Sequence, residues 1–113
     1  MSYWADIEAG IAYLDERTKE YERDILAAAQ AEAEYRKTKA LALKDERVKG
    51  TPATIMRDLI FARPDVQKAF LERATTSAIA DADKEAINTI KKKLQLLDAQ
   101  EGRDWQAAGV RGF

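Results

Sequence analysis

Along the first part of the chain, apolar or small side chains return at Ile7, Ile11, Leu14, Thr18, Tyr21, Ile25 and Ala28, at alternating steps of four and three. This is the spacing of a heptad seam, with which a helix lays one narrow face against another helix. The register continues through Glu32, Tyr35, Lys39 and Ala42, where polar residues replace apolar ones. Residues 2–48 contain no proline and a single glycine, Gly10. The pattern therefore predicts one uninterrupted helix over 2–48. At 1.5 Å per residue, about 45 residues make a rod of roughly 67 Å, which needs a partner helix to cover its seam.

Lys49-Gly50-Thr51-Pro52 reads as a stop followed by a start. A lysine in the last turn with glycine after it suits a helix C-terminus. Thr51 as N-cap with Pro52 at the first helical position suits a new beginning. Ile55, Met56, Leu59, Ile60 and Phe61 give that second element a wide apolar face. It is predicted over 52–63 and closed by Arg63-Pro64, because the residue before proline avoids the helical region.

A third helix is predicted over 64–107. Val66, Phe70, Ala74 and Ser77 form a first stripe, and Ala80, Asp83, Ile87, Ile90, Leu94 and Leu97 a second. Thr75-Thr76-Ser77 is poor in helix propensity and marks a candidate bend. The predicted architecture is all-α: a single domain over 1–108, folded as a long antiparallel helical hairpin with a short helix at the corner. Residues 109–113 are expected to form a flexible tail. Tyr3, Trp4 and Tyr13 on the first helix and Trp105 on the third predict an aromatic clasp at the open end. The apolar seams and corner are better buried in a homo-oligomer.

Composition narrows the chemistry. Of 113 residues, 35% are charged, and cysteine and histidine are both absent. No disulfide, thiolate or imidazole ligand is available, and the commonest general base is missing. Carboxylates cluster at Asp81, Asp83 and Glu85 and at Glu32 and Glu34, without the histidine that bundle metal sites usually carry. The glycines are isolated, with no phosphate-cradling loop. The expectation is a protein that is not an enzyme and has no metal and no cofactor. With no basic-then-apolar leader and no run of about 18 apolar residues, it is expected to be cytoplasmic, without membrane contact.

The net charge of −1 conceals segregation. Up to Glu34 there are three basic residues (Arg17, Lys19, Arg23) against nine acidic ones; from Tyr35 to Arg73 there are ten basic against five acidic. The switch falls within Glu32-Ala33-Glu34-Tyr35-Arg36-Lys37-Thr38-Lys39-Ala40, and Lys44, Arg47 and Lys49 extend it, with Arg57 and Arg63 on the short helix that follows. Such a strip has two readings. One is a solvated helix end whose cations favour the C-terminal dipole. The other is contact with a phosphodiester backbone, through Arg36, Lys37, Lys39, Lys44 and Arg47. Tyr35 could stack on an unpaired base, but its heptad position favours core packing. Lys91-Lys92-Lys93 points three ways around its helix and reads as solvated.

A helix bearing E-A-E-Y-R-x-x-K-A, a Gly-Thr break, a small amphipathic helix and a long final helix ending L-x-L-L-D-A resembles small phage-encoded helical proteins. Among these the chain is similar to the phage recombination mediators of the UvsY type, over roughly residues 20 to 108. The resemblance implies a non-enzymatic accessory factor in the cytoplasm of a bacterial host. Such a factor binds single-stranded DNA, forms ring-like oligomers, and helps load a RecA-type recombinase onto strands covered by single-strand-binding protein. It also implies that Arg36, Lys37, Lys39 and Lys44 contact DNA. The acidic first 30 residues depart from that pattern and suit an arm that docks a basic protein. The alternative is a structural or protein-interaction module, such as a phage assembly factor or adaptor, that binds no nucleic acid.

Overall fold

The computed structural model describes residues 3–108, which form three helices and no strand: α1 (Tyr3–Val48), α2 (Ala53–Phe61) and α3 (Pro64–Ala108). The expected tail at 109–113 lies outside the described residues. The chain divides into two compact units. The terminal unit takes residues up to Glu22 and from Asp81 onward; the central unit is Arg23–Ala80.

The α1–α2 break follows from one backbone angle. Gly50 has φ +75, a left-handed conformation that costs glycine nothing. The Gly50 N–H donates to the Arg47 carbonyl at 3.1 Å, and the Thr51 N–H to the Glu46 carbonyl at 3.0 Å. This pair of bonds is a Schellman C-cap. Thr51 belongs to that cap and not to the next helix. Its Oγ1 donates to Glu46 Oε2 at 2.6 Å, while α2 starts after Pro52 with no side-chain cap. The expected N-cap role of Thr51 is corrected here, because the buried Glu46 carboxylate one turn back captures its hydroxyl. At the second corner, the Gln67 N–H donates to the Arg63 carbonyl, so Arg63 stands at the N-cap position of α3.

Both long helices carry an unbroken three-four seam, but not wholly the expected one. On α1 the less exposed positions are Ile7, Gly10, Leu14, Arg17, Tyr21, Asp24, Ala28, Ala31, Tyr35, Thr38 and Ala42. Ile11 and Ile25, expected in the seam, are 49% and 46% exposed, and Thr18 is exposed too. On α3 the seam runs Val66, Ala69, Arg73, Thr76, Ala80, Asp83, Ile87, Ile90, Leu94 and Leu97. Phe70, Ala74 and Ser77 fall outside it. In each case the seam position is the small or polar residue one place earlier: Gly10 allows close approach, and Arg17 and Arg73 make cross-helix bonds. The helix passes through Thr75-Thr76-Ser77 without a break. Thr76 Oγ1 donates back to the Glu72 carbonyl at 2.8 Å, so its hydroxyl is satisfied within the helix.

In the terminal unit α1 and α3 are antiparallel, with Gly10 beside Leu94 and Arg17 beside Asp83. A Cβ on Gly10 would meet Leu94 Cδ2 at 2.6 Å, so the glycine lets the two helices approach. Arg17 donates to Asp83 Oδ1 at 2.8 Å and to Glu20 Oε2 at 2.9 Å. Asp83 is buried beside Ile87 and Ile90. The expected aromatic clasp is not formed: Trp4 is 64% and Trp105 65% exposed, Tyr13 is exposed, and no ring contact joins them among the described residues. Seven-residue steps from Trp4 lead to Ile11 and Thr18, a row outside the buried seam.

In the central unit, α2 supplies a third layer. Tyr35, Ala42, Ile60, Val66 and Ala69 form the buried core, with Leu43, Met56 and Phe61 packed against it. Arg63 braces the corner from its flank, with its guanidinium 3.3 Å from Asp45 and 3.4 Å from Asp65. Desolvation works against the Arg63 charge, but the Asp65 and Asp45 carboxylates outweigh it and hold its pKa above the ordinary value.

Candidate functional site

The strip at Glu32 to Lys49 separates into two sets by helix geometry. With about 100° between successive residues, positions three and four apart share a face. Tyr35 points into the core at 7% exposure, and its ring meets Phe70 edge-on, centroids 5.9 Å apart at 63°. The Arg73 guanidinium stands 5.0 Å from the Tyr35 ring centre and Lys39 Nζ 5.8 Å from it. Tyr35 is thus a packed core residue with its surroundings occupied, as the heptad register favoured, and has no open face for a base.

Arg36, Lys37, Lys44 and Arg47 are all exposed on the outer side of α1. Lys37, Lys44 and Arg47 make no ion pair with the described residues, while Arg36 donates to Glu32 Oε1 at 3.0 Å. From Arg36 to Arg47 the ridge climbs 11 residues, about 16 Å. Lys39 connects this ridge to the core, because its ammonium also lies 5.4 Å from the Phe61 ring centre. Arg57 sits on the same ring at 5.9 Å. Cations held over aromatic faces gain roughly 0.5–1 kcal/mol each at exposed sites and keep their outward hydrogen-bonding capacity.

Glu32 binds this layer to α3. Its carboxylate accepts from Arg36 on its own helix and from Arg73 Nε across the seam. The Arg36 bond is the largest influence on its acidity; desolvation opposes it, the Arg73 bond and charge add to it, and the pKa falls below the ordinary carboxylate value. Two cations thus share one internal anion.

Arg57, Phe61, Phe70 and Arg73 belong to this arrangement although they stand outside the basic strip. Their signal in the sequence is spacing: Arg57 and Phe61 are four apart, Phe70 and Arg73 three apart, so each pair shares a helical face. Phe61, Gln67, Phe70 and Leu71 enclose an open hollow of about 300 Å³ between the end of α2 and the start of α3. On the opposite side of the α1–α3 seam, Ala27, Gln30, Ala31, Glu34, Ala69, Glu72 and Thr76 line an acidic groove. The central unit therefore presents one basic, aromatic side and one acidic side.

Among the described residues no group of three or more carboxylates is placed to hold a metal ion. No helix is long and apolar enough to cross a membrane. No family model matches the chain, and no curated protein or solved structure matches it.

Proposed function

We propose that this chain is a non-enzymatic accessory factor that binds single-stranded DNA through the basic side of its central unit. On this reading it acts as a recombination mediator, helping to load a RecA-type recombinase onto strands covered by single-strand-binding protein, and works as a homo-oligomer. The observation that carries the reading is the exposed ridge of Arg36, Lys37, Lys44 and Arg47, three of whose cations have no protein counter-charge among the described residues. Such cations neutralise phosphates and release counterions, which gives affinity that is weak per copy and steeply salt-dependent. Repetition of the ridge in an oligomer multiplies weak contacts into avidity.

A labelled oligonucleotide titrated across a salt series tests this. Saturable binding at about 50 mM salt, weakening steeply as salt is raised, is expected. Absence of binding at that concentration refutes the reading. Replacing two cations together, Arg36→Ala with Lys39→Ala, should lower the salt slope by about two while the helical circular-dichroism signal is retained.

A second reading, a protein-interaction module that binds no nucleic acid, is favoured by the exposed Leu41, Val48, Ile55 and Leu59 near the α1–α2 corner. The same titration decides between them.

A further inference from the structure

The basic ridge explains contact with phosphates but leaves the neighbouring hollow unexplained. Its walls are Phe61, Gln67, Phe70 and Leu71, and its volume is about 300 Å³. Phe70 is 44% and Leu71 63% exposed, so large apolar surface is left open at a helix start. Gln67 spends one amide hydrogen on the Phe61 carbonyl at 3.1 Å, leaving its side-chain oxygen as an acceptor at the edge. Lys39 and Arg57 both stand against the Phe61 ring, so the apolar surface is bordered by positive charge.

We infer that this hollow receives an unpaired nucleobase, stacked against Phe70, from a strand whose phosphates lie along Arg36, Lys37, Lys44 and Arg47. The inference rests on the nucleic-acid reading and gives it a specificity. The ridge presents several cations over about 16 Å, which calls for an extended polyanion with repeated charges. The hollow calls for a flat apolar surface, and Lys39 and Arg57 put positive charge at its border. An unpaired polynucleotide supplies both along one backbone, and its bases have free faces to stack. A duplex keeps its bases stacked inside and offers this hollow nothing. The stacking role that the basic strip suggested for Tyr35 thus falls to Phe70, on the other helix.

The test compares three ligands of equal phosphate number by fluorescence anisotropy: a labelled oligothymidylate, the same strand with abasic spacers, and a duplex. The base-bearing single strand should bind about tenfold more tightly than the abasic strand, the gain expected from stacking of one base. Phe70→Leu, which keeps apolar bulk beside Tyr35 but removes the ring, should lose that advantage and bind the abasic strand as the wild type does. Leu71→Ser, at an exposed wall position, gives the same readout should Phe70→Leu fold poorly. Equal affinity for base-bearing and abasic strands overturns the inference while leaving the nucleic-acid reading standing. Equal affinity for the duplex overturns it as well. No binding of any of the three removes the nucleic-acid reading itself. If an acidic peptide containing phenylalanine binds at the hollow and the base-bearing strand does not, the site belongs to a protein ligand and the inference fails.

Discussion

The terminal and central units are built from the same two helices, yet they close in different ways. The terminal unit is a two-layer seam of Ile7, Gly10, Leu14, Ile87, Ile90 and Leu94, crossed by one buried polar pair. Its described residues carry twelve acidic and seven basic side chains. The central unit adds α2 as a third layer, carries eleven basic against eight acidic residues, and lays its cations on aromatic rings. A two-helix seam has little apolar area to spare, so a charged pair inside it weighs heavily and fixes register. With a third layer present, the core excludes water with small residues and a few rings, and arginine and lysine are left on the outside. The difference teaches that polarity at seam positions has two distinct uses here. It is a registration device in one unit and the underside of a surface in the other.

The comparison breaks most sharply at Arg17. Arg17→Ala strips the buried Asp83 of its bonded cation, and a loss of about 3 kcal/mol is expected in urea unfolding. Hydrogen exchange should accelerate at amides near Ile87 and Ile90 and not near Val66. Equal loosening of both units would contradict the division of roles. Next in size is Val66→Ala, at a fully buried position in the three-layer core. About 2 kcal/mol should be lost through missing contacts and a residual cavity. Here exchange should rise around α2 while the Gly10 neighbourhood stays protected.

The smallest effect is expected at Glu32. Its pKa is lowered in the folded state, so the stability it contributes is fully present above the ordinary carboxylate range. That contribution is lost as pH falls through the lowered value. Glu32→Gln should therefore lower stability slightly at neutral pH, change little in acid, and so flatten the acid limb of the stability–pH profile. It should also raise oligonucleotide affinity, by releasing Arg36 and Arg73 from their internal anion. An unchanged acid limb would mean that the Arg36–Glu32–Arg73 bridge contributes nothing in solution.

Much of the fold was legible in the chain because its signals are local. Gly50 can take φ +75 without strain, and Arg63-Pro64 limits the preceding turn, so the three helices begin and end within a residue or two of expectation. The seam was legible only in half. Apolar periodicity finds Ile7, Leu14, Tyr21 and Ala28, but it prefers Ile11 and Ile25 to Gly10 and Asp24 because it scores greasiness and not closeness. Gly10 is recognisable as a seam residue only once Leu94 is opposite it, and Arg17 only once Asp83 is. The site follows the same logic. Arg36, Lys37, Lys44 and Arg47 could be read as a strip because they lie on one helix. Arg57 was already read beside the strip, whereas Phe61, Phe70 and Arg73 show in the sequence only as residues sharing a helical face with a neighbour, and their pairing with Tyr35, Lys39 and Glu32 on α1 appears only in the fold. Thr51 was ambiguous for a different reason, since a threonine between two helices can serve either one, and only the position of Glu46 decides.

The placement of the two tryptophans has a practical consequence. Trp4 and Trp105 both belong to the terminal unit, and both are largely solvated. Tryptophan emission from this protein therefore originates in one unit alone and starts close to the colour of indole in water. Melting followed by that light will have little amplitude and will be silent about the aromatic layer around Tyr35. Of the four tyrosines only Tyr35 lies in the central unit, so a signal assigned to that one ring reports on the half of the molecule that indole does not see.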